Sequence, residues 1–378
     1  MKQFGNKKNL KVALVHDFLV QYGGAERVLE VLAEMFPQAP IYTLLYDKEK
    51  MKGHLVDREI KTSFLQKFPQ WLKKRRRYLL PFMLTAPETF DLRDFDLVIS
   101  SSGAWSKGIV TRLDTLHISY LHSPMRFVWD YHEKYLEDIK QKMGICKRMF
   151  LTYLRIWDFE AAQRPDILVA NSNYTKERIK KYYRRDCEVI YPATLVLNQK
   201  NIKTLKQDET NDYFLIVSRL AQYKKIDLVV ETFNKLELPL IIIGEGEQEK
   251  KIRKIAKKNI KILGWQDDKV LANYYQNARA LIFPTVDDFG LTMVEAMSFG
   301  KPVIAIDEGG AREIVVAGVN GEFFAAQTVE VLADGVRRFI KNEAQYETKN
   351  IQELAEKFTV DIFKEKLGRL IENELTKQ

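Results

Sequence analysis

The chain has 378 residues, of which 46% are hydrophobic and 29% are charged. This length is too great for one ordinary hydrophobic core and indicates two domains. No apolar run is long enough to span a bilayer, which argues against an integral membrane protein. The two cysteines form no CxxC pair and no cluster with histidine, so we expect a reducing compartment and no structural zinc.

The net charge of +9 is unevenly distributed along the chain. Residues 1–200 contain 34 Lys and Arg against 23 Asp and Glu, whereas residues 201–378 contain 26 against 28. A basic first half is compatible with nucleic-acid binding, with adhesion to an anionic membrane, or with a solvated surface that has no partner. Charge alone leaves all three interpretations open.

Short apolar runs alternate with longer helical patterns. Most of the runs are continuously apolar, which is typical of parallel strands buried on both faces of an α/β sheet. The predicted strands are residues 11–18, 41–46, 96–102, 116–122, 166–172, 188–192, 213–220, 238–244, 260–264, 279–284 and 301–306. The helical segments between them supply the crossovers, so we predict two doubly wound parallel-sheet domains.

The strand–helix pattern restarts after a polar stretch, residues 197–212, which we interpret as a linker. We therefore predict one domain over 1–196, a second over 197–350, and an amphipathic C-terminal helical segment over 351–378. In sheets of this kind ligands bind at the carboxyl ends of the strands, so a site facing both domains is expected between them.

Two glycines follow the first predicted strand. In VHDFLVQYGGAER (15–27), Gly23 and Gly24 stand between strand and helix, where backbone must approach a ligand closely. The spacing is not GxGxxG, so a dinucleotide fingerprint is absent, and such a pair also occurs in ordinary turns. A later GEG (244–246) does follow a strand, but the acids around it would repel a pyrophosphate.

A basic run follows in FLQKFPQWLKKRRRYLLPF (64–82), where five consecutive cations, Lys73 to Arg77, stand between aromatic and aliphatic residues. An exposed basic face without a partner explains the run equally well. Against anionic lipid each cation contributes about 1 kcal/mol, so five would give reversible adhesion. We predict that this run holds the protein at an anionic membrane surface.

Two further segments of the first half carry polar candidates. Asp94-Phe95-Asp96 has the DxD spelling found at some metal sites, but it precedes a strand at the amino end, so we expect no metal there. His122 ends a strand just before Pro124, where α/β sites are built, although a lone histidine usually has a structural role.

Cations gather where the first strand of the second half ends, in SRLAQYKKID (218–227). Arg219 ends the strand, and we expect Lys224 and Lys225 to begin the next helix. Cations at a helix N-terminus oppose the macrodipole by a few tenths to about 1 kcal/mol each, which a bound anion would offset. The alternative is that both lysines extend into solvent. Arg219 and Lys224 form a candidate diphosphate clamp.

The stretch DDFGLTMVEAMSFGKPVIAIDEGGAREIV (287–315) carries carboxylates and glycines between buried elements. Asp287 lies on the loop that leaves a strand, and Glu295 lies in the first turn of a predicted helix over 292–299. The backbone N–H groups of Gly290 and Leu291 precede this helix, where an anion is favoured. A capping box of Thr292 and Glu295 is the purely structural explanation.

A sugar diphosphate requires such a set of groups. Its phosphates need N–H donors and positive potential, and its sugar and ribose hydroxyls need carboxylates that accept hydrogen bonds. The cations after residue 218 and the acids and amides after residue 286 therefore predict a nucleotide-sugar site.

Together these stretches resemble the retaining glycosyltransferases of family 4, which have the GT-B fold, over nearly the whole chain. Residues 287–315 are similar to the family's Glu–seven residues–Glu signature with its inner FG and GG…E tail, and VSRLAQYKKID (217–227) is similar to its phosphate clamp. HDFLVQYGGAER and HSPMRFVWD resemble bacterial mannosyltransferases of polysaccharide assembly. The chain departs from the family at Asp287, which replaces the first Glu and is one methylene shorter, and at Met293, where Pro is common.

The resemblance implies roles for the second-half residues. Arg219 and Lys224 would neutralise the leaving diphosphate, and Asp287 would hold the donor sugar and phosphate. The backbone that assists Asp287 would be that of Phe289, Gly290 and Leu291.

Further donor contacts are implied in both domains. Glu295 would bind the ribose, and the turn Gly264-Trp265 would lie by the base. Gly23 and Gly24 would let the first domain touch the donor, and His122 would contact the sugar near the reacting carbon. The segment 351–378 would cross back onto the first domain.

The resemblance also implies a metal-independent hexosyltransferase without a cofactor, which retains the anomeric configuration. GDP-mannose is the favoured donor, and the acceptor would be a glycan or lipid-linked glycan in cell-surface polysaccharide synthesis. No residue stands out as a covalent nucleophile, so we expect attack from the face that the diphosphate leaves, with a phosphate oxygen taking the acceptor's proton. The expected location is cytoplasmic, with peripheral association at the inner face of the plasma membrane.

Other functions remain open at this stage. They are a transferase that uses a UDP-hexose, a nucleotide-sugar epimerase of the same architecture, and a non-catalytic sugar-binding relative. A phosphorylase would need a pyridoxal-phosphate lysine in a much longer chain. We expect no nucleic-acid partner, because no recognition motif appears and the cations are not interleaved with a stacking platform.

Overall fold

The computed structural model describes residues 10–51, 53–130, 144–194 and 212–377, apart from the side chains of Lys74 and Lys147. The predicted linker over 197–212 lies outside the described residues except for Asp212. The chain divides into two compact units, one formed by residues 1–193 with 363–378 and the other by residues 194–362.

The first unit is built on a seven-stranded parallel sheet with the order β3-β2-β1-β4-β5-β6-β7. Its central strands β1, β4 and β5 are buried along almost their whole length, as expected for a sheet covered on both faces, although they include His, Asp, Ser and Tyr residues. The strands are β1 (Val12–Leu19), β2 (Ile41–Tyr46), β3 (Ile60–Thr62), β4 (Leu97–Ser102), β5 (Leu116–Leu121), β6 (Ile167–Ala170) and β7 (Glu188–Val189).

Helices connect these strands. They are α1 (Gly24–Met35), α2 (Gln70–Lys74), α3 (Leu80–Met83), α4 (Arg126–Trp129), α5 (Ile145–Ala161) and α6 (Asn173–Tyr183), and short 3₁₀ turns lie at Phe64–Lys67, Arg76–Leu79, Pro87–Thr89 and Ser106–Gly108. The strand order reverses between β1 and β4, so the loops after these two strands diverge at the carboxyl edge of the sheet.

A fully buried ion pair lies under this edge. Lys107 Nζ donates to Asp158 Oδ1 over 2.5 Å and to the carbonyl oxygen of Ala104, and neither charged side chain reaches solvent. Asp158 Oδ2 accepts further hydrogen bonds from Trp129 Nε1 and the Tyr183 hydroxyl, both over 2.7 Å. The pair therefore ties the loop after β4 to α5.

The second unit contains a six-stranded parallel sheet with the order β10-β9-β8-β11-β12-β13. Its strands are β8 (Phe214–Val217), β9 (Leu240–Ile243), β10 (Ile260–Gly264), β11 (Ala280–Phe283), β12 (Val303–Ile306) and β13 (Gly321–Phe324). Its reversal point lies between β8 and β11, which are hydrogen-bonded neighbours although 62 residues lie between the end of β8 and the start of β11.

The remaining helices are α7 (Ile226–Leu236), α8 (Glu249–Ile255), α9 (Asp268–Asn277), α10 (Leu291–Ser298), α11 (Ala311–Ile314), α12 (Val329–Asn342), α13 (Thr348–Ala355) and α14 (Val360–Lys377). In α14 the Phe363 ring packs on Tyr120 and Lys364 pairs with Glu34, both of which belong to the first unit. Within the described ranges, no helix is both long and apolar enough to cross a bilayer.

The prediction of two doubly wound parallel sheets is confirmed, and each predicted strand coincides with a strand of the structure. The sequence pattern missed β3, which has three residues, and β13, whose sequence GEFF includes a glycine and an acid. The single helical stretch predicted from residue 351 is wrong, because a 3₁₀ turn at Glu356–Phe358 separates α13 from α14. This turn buries Phe358 against Phe289.

Candidate functional site

The reversal point of the second sheet brings the predicted cations and acids together. Lys224 lies on the loop after β8, Asp287 lies on the loop after β11, and the Lys224 ammonium donates directly to Asp287 Oδ2. Each side chain is only 14% exposed. The Thr285 hydroxyl donates to the Lys224 carbonyl over 2.8 Å, which joins the two loops a second time. A shielded ammonium and carboxylate at strand ends can serve a ligand that carries both phosphates and hydroxyls.

Arg219 lies beside this pair on the same loop. Its guanidinium donates to the Tyr223 hydroxyl over 2.6 Å, and the Lys224 ammonium lies 5.2 Å from the centre of the same ring. The predicted helix start is wrong. Lys224 ends a 3₁₀ turn and Lys225 has a left-handed backbone with φ of 54°, so α7 begins only at Ile226. Both lysines thus precede the helix and are not part of its first turn.

Glycine determines where α10 begins. Gly290 has φ of 107°, a left-handed conformation that glycine adopts easily, and the helix therefore starts at Leu291. The alternative explanation, a capping box, does not hold, because Thr292 lies inside the helix and no side chain among the described residues caps it. Buried Glu295 instead accepts a hydrogen bond at Oε2 from the Tyr275 hydroxyl of α9 over 2.7 Å.

The Gly309-Gly310 pair supports the loop that carries Asp287. A Cβ placed at Gly310 would lie 2.5 Å from Phe289 Cα, and one at Gly309 would lie 2.6 Å from the Asp287 carbonyl oxygen. The Gly310 N–H donates to that same oxygen over 2.9 Å. Both glycines are therefore needed for backbone to pack on backbone directly behind Asp287.

Close backbone packing also explains the GEG segment. A Cβ at Gly244 would lie 1.9 Å from the Ser218 carbonyl oxygen, and one at Gly246 would lie 2.4 Å from that of Leu220. These glycines therefore serve the loop that carries Arg219. The Gly264 N-terminal to Trp265 has φ of 74° and ends β10, and the Trp265 side chain is exposed.

In the first unit, the predicted glycines lie at the start of α1. Gly23 is the extended residue before the helix and Gly24 is its first residue. His122 follows β5, and its Nε2 lies 2.7 Å from Ser101 Oγ at the end of the neighbouring strand β4. The Asn171 side chain donates to the His122 carbonyl over 2.9 Å, so both backbone and ring of His122 are held.

Sequence reasoning missed several polar residues at this edge. His16 and Glu26 are buried beside Ser101 and His122, and they belong to the apolar strand β1 and to α1. Buried Asp17 accepts hydrogen bonds from four consecutive backbone N–H groups, those of Gly103, Ala104, Trp105 and Ser106, over 2.6 to 2.9 Å. The only sequence signal for His16 and Asp17 was their interruption of an apolar run.

Asp94 and Asp96 lie just before β4, at the amino end of the sheet, as predicted, and Asp96 Oδ2 accepts the Lys11 N–H over 2.9 Å. Among the residues that the structure describes, no three His, Cys, Asp or Glu side chains are grouped so as to hold a metal ion.

Family models match both halves of the chain. The model described as Glycosyltransferase Family 4 matches residues 22–194, and the model described as Glycosyl transferases group 1 matches residues 198–358. The chain is a glycosyltransferase. This result confirms the prediction of a sugar-transferring enzyme with the GT-B fold.

Individual relatives agree with this result. The glycosyltransferase is 25% identical to an uncharacterized glycosyltransferase of Methanocaldococcus jannaschii over 93% of this chain and 94% of that protein. It is 24% identical to O-antigen chain mannosyltransferase C of Escherichia coli over 66% of this chain and 69% of that protein. Its fold matches Anabaena HepE, solved in complex with UDP and glucose, with a TM-score of 0.69 and 20% identity over 96% and 99% of the two chains.

Proposed function

We propose that this glycosyltransferase moves a hexose, in the favoured case mannose from GDP-mannose, to a glycan or lipid-linked acceptor in cell-surface polysaccharide synthesis. The reaction retains the anomeric configuration and uses no metal ion or other cofactor. The observation that carries the proposal is the shielded Lys224–Asp287 pair at the reversal point of the second sheet.

The pair would exchange partners when the donor binds. The diphosphate takes over the Lys224 ammonium together with Arg219, and the freed Asp287 carboxylate accepts hydrogen bonds from the sugar hydroxyls. The backbone N–H groups of Gly290 and Leu291 at the start of α10 add positive potential for phosphate. Glu295 binds the ribose, in which case the Tyr275 hydroxyl fixes its carboxylate.

Charge stabilisation and positioning would then supply the catalysis. As the bond to the anomeric carbon breaks, negative charge grows on the diphosphate, and fixed cations nearby lower the energy of that state. The acceptor hydroxyl attacks from the face that the diphosphate leaves, and a phosphate oxygen takes its proton. We also propose that Gly23, Gly24 and His122 contact the donor, and that the Gly264-Trp265 turn lies by the base.

Two findings bear on the donor. Mannose is supported by the HDFLVQYGGAER and HSPMRFVWD motifs and by the mannosyltransferase relative of E. coli. A UDP-hexose is the second candidate, because the HepE structure holds UDP and glucose. The two donors differ in the base, so binding of the free nucleotides separates them.

We expect GDP to raise the melting temperature of the protein more than UDP or ADP. A ligand present at one hundred times its Kd stabilises the folded form by about 2.7 kcal/mol, which corresponds to roughly 5 to 10 °C for a unit of this size. Differential scanning fluorimetry with equal concentrations of the three nucleotides measures this difference.

A larger shift with UDP would reassign the donor, and no shift with any nucleotide would overturn the site. A transferase given GDP-mannose alone should show only slow hydrolysis. Conversion of the sugar to its epimer in that mixture would identify an epimerase instead.

The basic run at the end of α2 offers a surface for the membrane. Arg75, Arg76 and Arg77 are exposed, and around them Trp71, Tyr78 and Phe82 are 64%, 48% and 45% exposed. Lys73 also belongs to the run, but its ammonium donates one hydrogen bond within the protein, to the Gln66 carbonyl over 3.1 Å. Exposed aromatic rings beside guanidinium groups suit the headgroup layer of an anionic bilayer. We propose that this surface attaches the enzyme peripherally to the cytoplasmic face of the plasma membrane, next to a lipid-linked acceptor.

Replacing Arg75, Arg76 and Arg77 with glutamine should weaken binding to anionic vesicles about 100-fold, because each cation contributes about 1 kcal/mol near such a surface. Co-sedimentation with phosphatidylglycerol vesicles at fixed salt measures the change. The matched control replaces three exposed cations of the second unit, Arg337, Lys341 and Lys349, and should bind as the parent does. Equal sedimentation of both triple variants would contradict the proposal.

A further inference from the structure

Four polar side chains form a chain of contacts below the carboxyl edge of the first sheet. Glu26 Oε1 lies 3.7 Å from His16 Nε2, His16 Nδ1 lies 3.1 Å from Ser101 Oγ, and Ser101 Oγ lies 2.7 Å from His122 Nε2. The side chains of Glu26, His16 and Ser101 are buried, whereas His122 is partly exposed at the end of the chain. They come from α1, β1, β4 and the loop after β5.

The Glu26 carboxylate determines in which direction the hydrogen bonds along this chain of contacts run. A carboxylate only accepts hydrogen bonds, and although 3.7 Å is long for a direct bond, its negative charge favours an N–H over a lone pair at His16 Nε2. His16 then has a lone pair at Nδ1 and accepts the Ser101 hydroxyl proton. Ser101 has only one proton, so its oxygen must accept from His122 Nε2–H. Nδ1 of the neutral His122 ring is consequently an acceptor.

The ring of His122 is also held in place. Its backbone N–H donates to the Ser102 carbonyl over 2.9 Å, and its ring meets that of Tyr120 edge-on at 5.4 Å. Gly23 packs against Glu26, at the other end of this chain of contacts, since a Cβ on Gly23 would lie 3.3 Å from Glu26 Oε2. The contacts therefore hold the orientation of the His122 ring, and the direction set by Glu26 favours Nε2 as its protonated nitrogen.

We propose that Glu26, His16 and Ser101 are positioning residues that hold His122 as its Nε2–H tautomer, so that Nδ1 accepts a hydrogen bond from a hydroxyl of the donor hexose. The hexose contact rests on the proposed function, whereas the tautomer does not. A substrate group that only accepts hydrogen bonds would be rejected at this position. Glu26, His16 and Ser101 therefore contribute to sugar recognition through His122, without touching the sugar themselves.

Nitrogen-15 NMR of histidine-labelled protein tests the tautomer directly, because protonated and unprotonated ring nitrogens have well-separated shifts. Substitution of His122 with glutamine assigns its signals. His117 provides an internal reference, since burial, helped by the charges of Arg185 and Arg164, lowers its pKa to about 3 and keeps its ring neutral. We expect His122 to show a protonated Nε2 and an unprotonated Nδ1 at neutral pH.

The Glu26→Gln variant tests the direction of the chain. A glutamine amide can donate to His16 Nε2, so the fixed direction is lost and the fraction of His122 with a protonated Nδ1 should rise. The matched control is Glu30→Gln on the same helix, whose carboxylate contacts Tyr22 and His54 and should leave His122 unchanged. In a Ser101→Ala background, Glu26→Gln should have no further effect on His122.

Kinetics then separate this inference from the proposed function. Glu26→Gln should lower kcat/KM for the nucleotide-sugar about tenfold while stabilisation by the free nucleotide stays unchanged, because the nucleotide lacks the hexose hydroxyl. The tautomer assignment would be overturned by a protonated Nδ1 in the parent protein, or by His122 nitrogen shifts that do not change in the Glu26→Gln variant. The expected spectra with no transfer from any nucleotide-sugar would leave the tautomer assigned and overturn the hexose contact with the proposed function.

Discussion

Replacing Lys224 with methionine should lower kcat by a factor of about 100 to 1,000, equivalent to about 3 to 4 kcal/mol of transition-state stabilisation. The ammonium is shielded from solvent, and the Thr285 hydroxyl holds the backbone carbonyl of Lys224. Once the bound diphosphate has replaced Asp287 as its partner, the cation is therefore already in place when charge develops on the leaving group. Steady-state transfer from GDP-mannose to an acceptor glycan measures the loss.

The control for this experiment is Lys235→Met. Lys235 lies in the same unit and pairs with Glu330 over 3.2 Å, but both side chains are largely exposed, so the substitution should leave kcat nearly unchanged. A melting curve for each variant separates lost chemistry from lost folding. Full activity of a folded Lys224→Met protein would show that leaving-group stabilisation does not depend on this cation.

Replacing Lys107 with methionine should destabilise the first unit by about 3 to 5 kcal/mol, because it leaves the Asp158 carboxylate buried without a cation. For a unit of this size the melting temperature should fall by roughly 6 to 20 °C. Tryptophan fluorescence reports on the correct unit, since Trp71, Trp105, Trp129 and Trp157 belong to it and only Trp265 belongs to the other.

The double variant Lys107→Met with Asp158→Asn should recover much of this loss. An asparagine at 158 carries no charge, and its carbonyl oxygen can still accept the hydrogen bonds of Trp129 and Tyr183. A double variant as unstable as Lys107→Met alone would mean that the lost stability comes from packing of the lysine stem and not from the unpaired charge.

The strands could be predicted from the sequence wherever burial on both faces imposed a continuous apolar run, as in β9, β11 and β12. The pattern fails for β13, because the strand needs a glycine at position 321. A Cβ on Gly321 would lie 2.0 Å from the carbonyl oxygen of Val303. Glu322 pairs with Ile304 of β12 in regular parallel register, but as a charged residue it interrupts the apolar run that would indicate a strand.

The candidate site was predictable in its members but not in its contacts. Lys224 and Asp287 were each singled out by their place after a strand, yet they are 63 positions apart in the sequence, and only the strand order makes β8 and β11 neighbours. The sequence left the alternative of a capping box open, because it is the backbone of Gly290, and not a side chain, that determines the first residue of α10. The role of Ser101 could not be predicted, because nothing in the spacing of the run ISSSGAWS distinguishes it from the neighbouring serines.

The four amides gathered by Asp17 also have an electrostatic effect on the first sheet. Peptide dipoles aimed at one carboxylate spread its negative charge over the loop at residues 103–106 and neutralise much of its field. A polyanion that approaches the carboxyl edge of this sheet is thus repelled less than the formal charge of an aspartate would imply. Asparagine at position 17 would remove the charge but turn an amide hydrogen toward those same donors.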